Sequence, residues 1–162
     1  MSTQPVIVVD SREQDPLAFR TLPSVPGTLT SGDYSFRGGE ELFAIERKSI
    51  ADLVACCAGS NRERFERELH RLRGYRFARL LIVGSELEIE QHRYRSALPP
   101  KSVLHSVRAF EARYNVATVF EPCPERAAAL VERWAYWFAR ECLKSAEAIS
   151  SSSTPSFSPS NN

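Results

Sequence analysis

Residues 33–48 constrain this sequence most: two alternating arms, Asp33-Tyr34-Ser35-Phe36-Arg37 and Leu42-Phe43-Ala44-Ile45-Glu46-Arg47-Lys48, flank Gly38-Gly39-Glu40-Glu41. Alternation of period two on both sides of a glycine-containing turn specifies a β-hairpin. A loop of residues 38–41 sets Arg37 opposite Leu42 and therefore Asp33 opposite Glu46. Asp33, Ser35, Arg37, Glu46 and Lys48 then share a polar face, while Tyr34, Phe36, Phe43 and Ile45 form an apolar face that a core must cover. A two-residue loop would shift the pairing by one pair and keep the faces; an odd loop or a bulge would break them.

The flanking sequence supplies the rest of a sheet. Pro5 to Asp10 (PVIVVD) reads as a buried strand ending in an acid, Arg79 to Val83 (RLLIV) as another, and Val116 to Phe120 (VATVF) as the last. Thr28 and Leu29 are expected to start an edge strand. Ser49 is a good N-cap for a helix through Ile50, Leu53 and Val54, with Asp52 in its first turn. A second helix spans about 62–73, where Phe65, Leu69 and Leu72 recur at helical spacing and leave Arg64, Arg67 and Arg71 on other faces. Ser85 to Glu90 is a short acidic segment, and 101–114 reads as a helix after Pro99-Pro100. Pro124 suits the first turn of a final helix, about 125–144, with Leu130, Val131, Trp134, Trp137 and Phe138 on one wide apolar face. That aromatic stripe is expected to be core, with a dimer surface as the alternative. Strands alternating with helices imply an α/β fold, a mixed sheet flanked by helices.

Length and composition set outer bounds. At 162 residues, 43% of them apolar and 25% charged, the chain is expected to form one globular domain, residues 1–148. Residues 149–162, rich in Ser and Pro, are expected to be a disordered tail. No run approaches the roughly 20 apolar residues of a membrane span, and the polar start lacks the regions of a signal peptide. An intracellular protein with no membrane role is expected, cytoplasmic if prokaryotic or viral and nuclear if eukaryotic. Cys56, Cys57, Cys123 and Cys142 match neither a zinc spacing nor a disulfide frame and read as reduced thiols. His70, His92 and His105 are scattered and read as surface or packing residues.

A net charge of +1 excludes a protein that coats nucleic acid by charge alone, so any nucleic-acid surface must be local. Only three of the 21 basic residues are lysine, and seven arginines fall between Arg62 and Arg79. The guanidinium fork suits phosphate. A genome rich in arginine codons accounts equally well for the overall bias, but not for the clustering. The Arg62–Arg79 cluster is therefore a candidate for phosphate contacts, Arg62, Arg64, Arg67 and Arg71 first among its members, with Arg93 and Arg95 beyond it; a solvated helix face is the plain alternative.

The hairpin's polar face carries the chemistry. Hydrolysis of a phosphodiester requires charge neutralisation on the phosphoryl oxygens and a hydroxide-like nucleophile, and a bound divalent metal supplies both. Asp33 and Glu46 are hard oxygen donors suited to Mg²⁺ or Mn²⁺, with no organic cofactor needed. Lys48, two residues beyond Glu46, reaches the same side. It could orient the attacking water, accept its proton, or stabilise developing negative charge. A solvated strand face with a surface ion pair would explain an isolated E-x-K. It explains less well the convergence of Asp33, Asp10, Glu13 and Asp52 on the same region.

The blocks Val9-Asp10-Ser11-Arg12-Glu13, Leu29-Thr30-Ser31-Gly32-Asp33-Tyr34 and Glu46-Arg47-Lys48-Ser49-Ile50-Ala51-Asp52-Leu53 resemble the nuclease domain of the XPF-type structure-specific endonucleases, whose signature is GD, a variable gap, then ERKxxxD. The resemblance continues through Arg64-Phe65, Glu68, Arg71-Leu72 and the Pro100-Lys101-Ser102-Val103 helix, covering about residues 5–144. It implies a restriction-endonuclease-like PD-(D/E)xK core and a Mg²⁺- or Mn²⁺-dependent hydrolase that cuts DNA near branches, flaps or forks in repair or recombination. By matching position it implies that Asp10, Glu13, Asp33 and Glu46 shape or ligate the metal site. Lys48 is then the catalytic lysine, Arg47 belongs to the catalytic set, and Arg12 and Asp52 support it. Arg47 does not follow from the hairpin, whose register points it away from Glu46.

The sequence departs from the family at Glu68, where Gln is frequent, and at Glu63, where Gly often precedes the arginine matching Arg64. These 162 residues also leave no room for the tandem helix-hairpin-helix domain with which many relatives grip branched DNA, so junction preference is not carried here. Relatives pair their nuclease domains, which implies a homodimer or a hetero-partner. The alternative function is a catalytically silent DNA-binding or dimerisation partner of another nuclease.

Overall fold

Two apolar layers, one on each face of a single sheet, organise residues 4–152, the part described by the computed structural model. The elements run β1 (Ile7–Asp10), β2 (Ser24–Gly27), β3 (Tyr34–Phe36), β4 (Phe43–Ser49), α1 (Ile50–Ala55), α2 (Gly59–Leu72), β5 (Phe77–Val83), α3 (Glu86–Glu90), α4 (Pro100–Tyr114), β6 (Ala117–Phe120) and α5 (Pro124–Ser151). The strand order is β2-β1-β3-β4-β5-β6. β3 pairs antiparallel with both β1 and β4, and the other pairings are parallel, so the sheet is mixed as expected.

The hairpin register agrees with the sequence reading. Tyr34 faces Ile45, which continues to Asp33 opposite Glu46. Tyr34, Phe36, Phe43 and Ile45 are all buried in the layer under α5, with Ala127, Val131 and Ala135. The opposite face is less polar than expected. Ala44, Leu80 and Ile82 carry a second core there, closed by Leu53 of α1, Phe65 and Leu69 of α2, and Val107 and Phe110 of α4. Ser35 is buried, its hydroxyl donating to the Phe43 carbonyl at 2.6 Å. Glu46 and Lys48 therefore lie at the margin of a covered face, where they are partly desolvated.

Local chemistry sets the element ends. The Ser49 hydroxyl accepts the Asp52 amide at 3.1 Å and starts α1 where β4 stops. Pro124 occupies the first turn of α5. The acidic segment at 85–90 is a helix, α3, with a reciprocal capping box between Ser85 and Glu88.

Several boundaries differ from expectation. The edge strand is Ser24–Gly27, not Thr28–Leu29. Pro26 is tolerated at the sheet edge, and a Cβ on Gly27 would come within 2.7 Å of Val8 Cγ1, so β2 can lie against β1 only with glycine there. The helix expected from residue 62 begins at Gly59, and α5 runs past Lys144 to Ser151 because Ala146, Glu147 and Ala148 are good helix formers. The expected tail thus begins as helix; its residues 153–162 lie outside the described part. The aromatic stripe of α5 splits. Trp134 and Phe138 pack on Phe77, whereas Trp137 is 59% exposed. Among the described residues no helix is long and apolar enough to cross a membrane.

Candidate active site

The chain enters β3 through Gly32 at φ +80°, where a Cβ would sit 3.1 Å from the Ile45 carbonyl oxygen. Only glycine allows this close, left-handed approach. It fixes Asp33 from three directions. The Asp33 amide donates to the Ile45 carbonyl and its carbonyl accepts from the Asp10 amide, both at 2.8 Å. Its Oδ2 accepts the Arg47 amide at 2.7 Å. Glu46 lies opposite on β4. Lys48 Nζ donates to Glu46 Oε1 at 3.1 Å, lies 4.0 Å from Glu68 Oε2, and stands 4.8 Å from the centre of the Phe65 ring. Asp33, Glu46 and Glu68 line a cleft of about 150 Å³ with Asp10, Arg12, Arg71 and the 30–32 turn, and Lys48 is joined to it through its ion pair with Glu46.

The electrostatics are those of an under-neutralised anionic pair. Burial raises the Asp33 carboxyl above its ordinary value, opposed by the Arg47 amide. Burial raises Glu46 as well, and the negative charge of Asp33 adds to it. Burial pulls Lys48 down, but Glu46, with smaller contributions from Cys56 and Glu68, outweighs it and holds the amine above its ordinary value. Lys48 is thus an ammonium near neutral pH, the form that stabilises negative charge and cannot accept a proton.

Asp10 and Glu13 are differently engaged. Both Asp10 oxygens are occupied: Arg12 Nε donates at 2.8 Å and Arg12 Nη2 at 3.1 Å, and the Leu29 amide adds a bond at 2.8 Å. The Arg12 hydrogen bond, opposed by burial, holds this carboxyl well below the usual range, at about 2. Glu13 faces Arg47, whose Nε donates at 3.3 Å, and accepts the Tyr34 hydroxyl at 3.1 Å. Arg47 also donates to the Asp15 carbonyl, so it ties down the segment after β1 from the face opposite Glu46. Arg47 points away from Glu46, as the register requires, and reaches the site only through its backbone amide. Asp52 is exposed in the first turn of α1 and is not among the cleft-lining residues.

The four arginines separate. Arg71 lines the cleft and is exposed, and Arg64 and Arg67 are exposed on α2. Arg62 is committed inside the fold: it donates to Ser106 Oγ at 2.8 Å, pairs with Glu66 at 3.6 Å and lies over the Phe110 ring. It is a brace between α2 and α4 rather than a free phosphate contact. Glu68, met in the sequence only as a departure from a family pattern, is a cleft residue. Its position three residues after Phe65 and three before Arg71 already places it beside both on the helix.

Among the described residues no three Asp, Glu, His or Cys side chains come together as a metal-holding group. Asp33 and Glu46 remain. Two partly buried carboxylates balanced by one ammonium fit Mg²⁺ or Mn²⁺, hard cations that take one or two protein carboxylates and keep several waters.

Residues 9–133 match the ERCC4 domain family. Two solved structures have the same fold. One is XPF from Aeropyrum pernix, at TM-score 0.67 and 21% identity, covering 88% of this chain and 69% of that one. The other is XPF from Aeropyrum pernix in complex with DNA, at TM-score 0.66 and 21% identity, covering 85% and 66%. This chain spans about two thirds of the length of each. No curated protein matches its sequence.

Proposed function

The chain belongs to the ERCC4 domain family, a family of DNA-processing nucleases, and from that premise we propose that it is a divalent-metal-dependent endonuclease that hydrolyses DNA phosphodiester bonds. The observation that carries this reading is Asp33 and Glu46, opposite each other on one hairpin at the wall of a cleft, with the Lys48 ammonium 3.1 Å from Glu46. When bound, Mg²⁺ or Mn²⁺ would neutralise phosphoryl charge and lower the pKa of a bound water.

The chain's own residues do the rest. Asp33 and Glu46 would hold the cation, Asp33 with one oxygen pinned by the Arg47 amide and the other left for the metal. Lys48, paired with Glu46, would supply a positive charge to offset negative charge developing on the phosphoryl group. Arg71 and the outer edge of Arg12 stand at the cleft mouth to meet flanking phosphates. Asp10 acts through Arg12, and Arg47 through the 11–17 segment; both are positioning residues. Branched, flap and fork substrates, and a place in repair or recombination, follow from the family resemblance.

The test is cleavage of a labelled panel of duplex, flap, fork and single-stranded DNA. The protein should cut at least one in Mg²⁺ or Mn²⁺, and Asp33→Ala or Lys48→Ala should reduce the rate by a hundredfold or more, about 2.7 kcal/mol of transition-state stabilisation. Cutting unaffected by either change would remove these residues from the mechanism. DNA binding without cleavage under any divalent metal would make the chain the silent partner of another nuclease.

A further inference from the structure

At the C-terminal end of α2 lies a second concavity of about 410 Å³, and Leu72 lines both it and the cleft. Arg73, Arg76 and Arg79 line this second cavity with Tyr75, Asn115 and Glu111. Its three arginines outnumber its one carboxylate. None of the three arginines forms a salt bridge among the described residues, whereas Glu111 is already engaged, Oε2 by Arg108 at 2.9 Å and Oε1 by the Thr118 amide at 3.0 Å. Glu141 senses Arg76 only at longer range, since Lys144 holds its carboxylate at 2.8 Å.

Arg79 and Arg76 are also pre-ordered. Arg79 is half-buried at the start of the β5–β6 pairing, its guanidinium 4.0 Å from the centre of the Phe77 ring and donating to the Ala78 carbonyl at 2.7 Å. Arg76 lies 5.4 Å from the centre of the Phe138 ring. A guanidinium taken out of water and left without a counter-ion costs stability unless an anion completes the site. Stacking on aromatic faces leaves the donor edge free for such an anion.

We propose that Arg73, Arg76 and Arg79 form a second phosphate-binding site that takes a backbone phosphate of the DNA whose scissile bond lies in the Asp33–Glu46 cleft, an assignment that rests on the endonuclease reading. Arg71 lines the cleft and these residues line the neighbouring cavity, the two joined at Leu72. They would fix the duplex in register without reading its sequence.

The experiment is fluorescence anisotropy with a labelled duplex of about 20 base pairs in EDTA, titrated from about 50 to 200 mM salt. Each lost phosphate contact flattens the plot of log affinity against log salt by about 1. Arg73→Ala/Arg76→Ala should flatten it by about 1 and weaken binding at least tenfold, and Arg79→Gln should flatten it by no more than the same amount, because the three arginines share one phosphate. Arg79→Lys, which keeps the charge, should retain the wild-type slope. Melting curves on the same samples separate lost contact from lost fold, and the two exposed positions provide a pair whose removal leaves the core intact.

Variants that are folded and keep the wild-type slope would overturn the proposal, as would a wild-type protein that does not bind the duplex. So would inorganic pyrophosphate raising the melting temperature through these arginines while duplex binding is unchanged, which marks a free-anion site. Cleavage of the same duplex by wild type in Mg²⁺ is read separately. Cleavage with unchanged slopes sinks only the second site, and changed slopes without cleavage sink only the enzymatic reading.

Discussion

At the scale of single residues, the site works against the fold that holds it. Burial and the proximity of Asp33 raise the Glu46 carboxyl, so on unfolding Glu46 returns to an ordinary acidity near 4.5. A group whose folded pKa is raised ionises first in the unfolded chain. Its penalty is absent below about pH 4.5 and grows as pH rises through the folded value. Glu46→Gln should therefore raise the metal-free melting temperature at pH 8 by a few degrees, about 1–2 kcal/mol, with no gain at pH 4. Circular dichroism melts at the two pH values check this; a lower melting temperature at pH 8 would show that the pair is not under charge stress. Asp33, Glu46 and Lys48 were legible in the sequence because period two fixes which side chains share a strand face. Asp10 was not. Its chemical state depends on Arg12 and on the Leu29 amide nineteen residues away, a contact that no local pattern encodes.

At the scale of elements, β4 serves both faces of the sheet. Glu46 lines the cleft with Lys48 paired to it, and Arg47 between them reaches through the other side to Glu13 and Asp15. Arg47→Ala should leave its backbone amide on Asp33 but release the 11–17 segment. The expected outcome is a loss of about 2–4 kcal/mol, since a partly buried carboxylate is left unpaired, with faster amide exchange at Leu17, whose amide now donates to the Tyr34 hydroxyl at 2.9 Å. Protection unchanged at Leu17 would contradict the latch. The helices were legible from spacing and caps, as Ser49 and Pro124 illustrate. The edge strand was misplaced because Ser24-Val25-Pro26-Gly27 has weak strand character and pairs only through its fit against β1.

For the molecule as a whole, one sheet separates two cores, and the cleft lies where the α2 side leaves Glu46 and Lys48 at its margin. The alternation of the hairpin announced the α5-side core. The other core was hidden, because Ala44, Ser35 and the even positions of β5 reveal burial only once α1, α2 and α4 are laid over them. That covering is what converts a polar strand face into a desolvated pair of carboxylates. The whole account meets its most direct test in the initial rate of cleavage of one labelled DNA at pH 8 as Mg²⁺ is titrated, for wild type and for Glu46→Gln of matched secondary structure. The account predicts a saturable Mg²⁺-dependent rate for wild type and none above background for the variant. Equal rates in the two proteins, or cleavage by wild type that persists in EDTA, would contradict it.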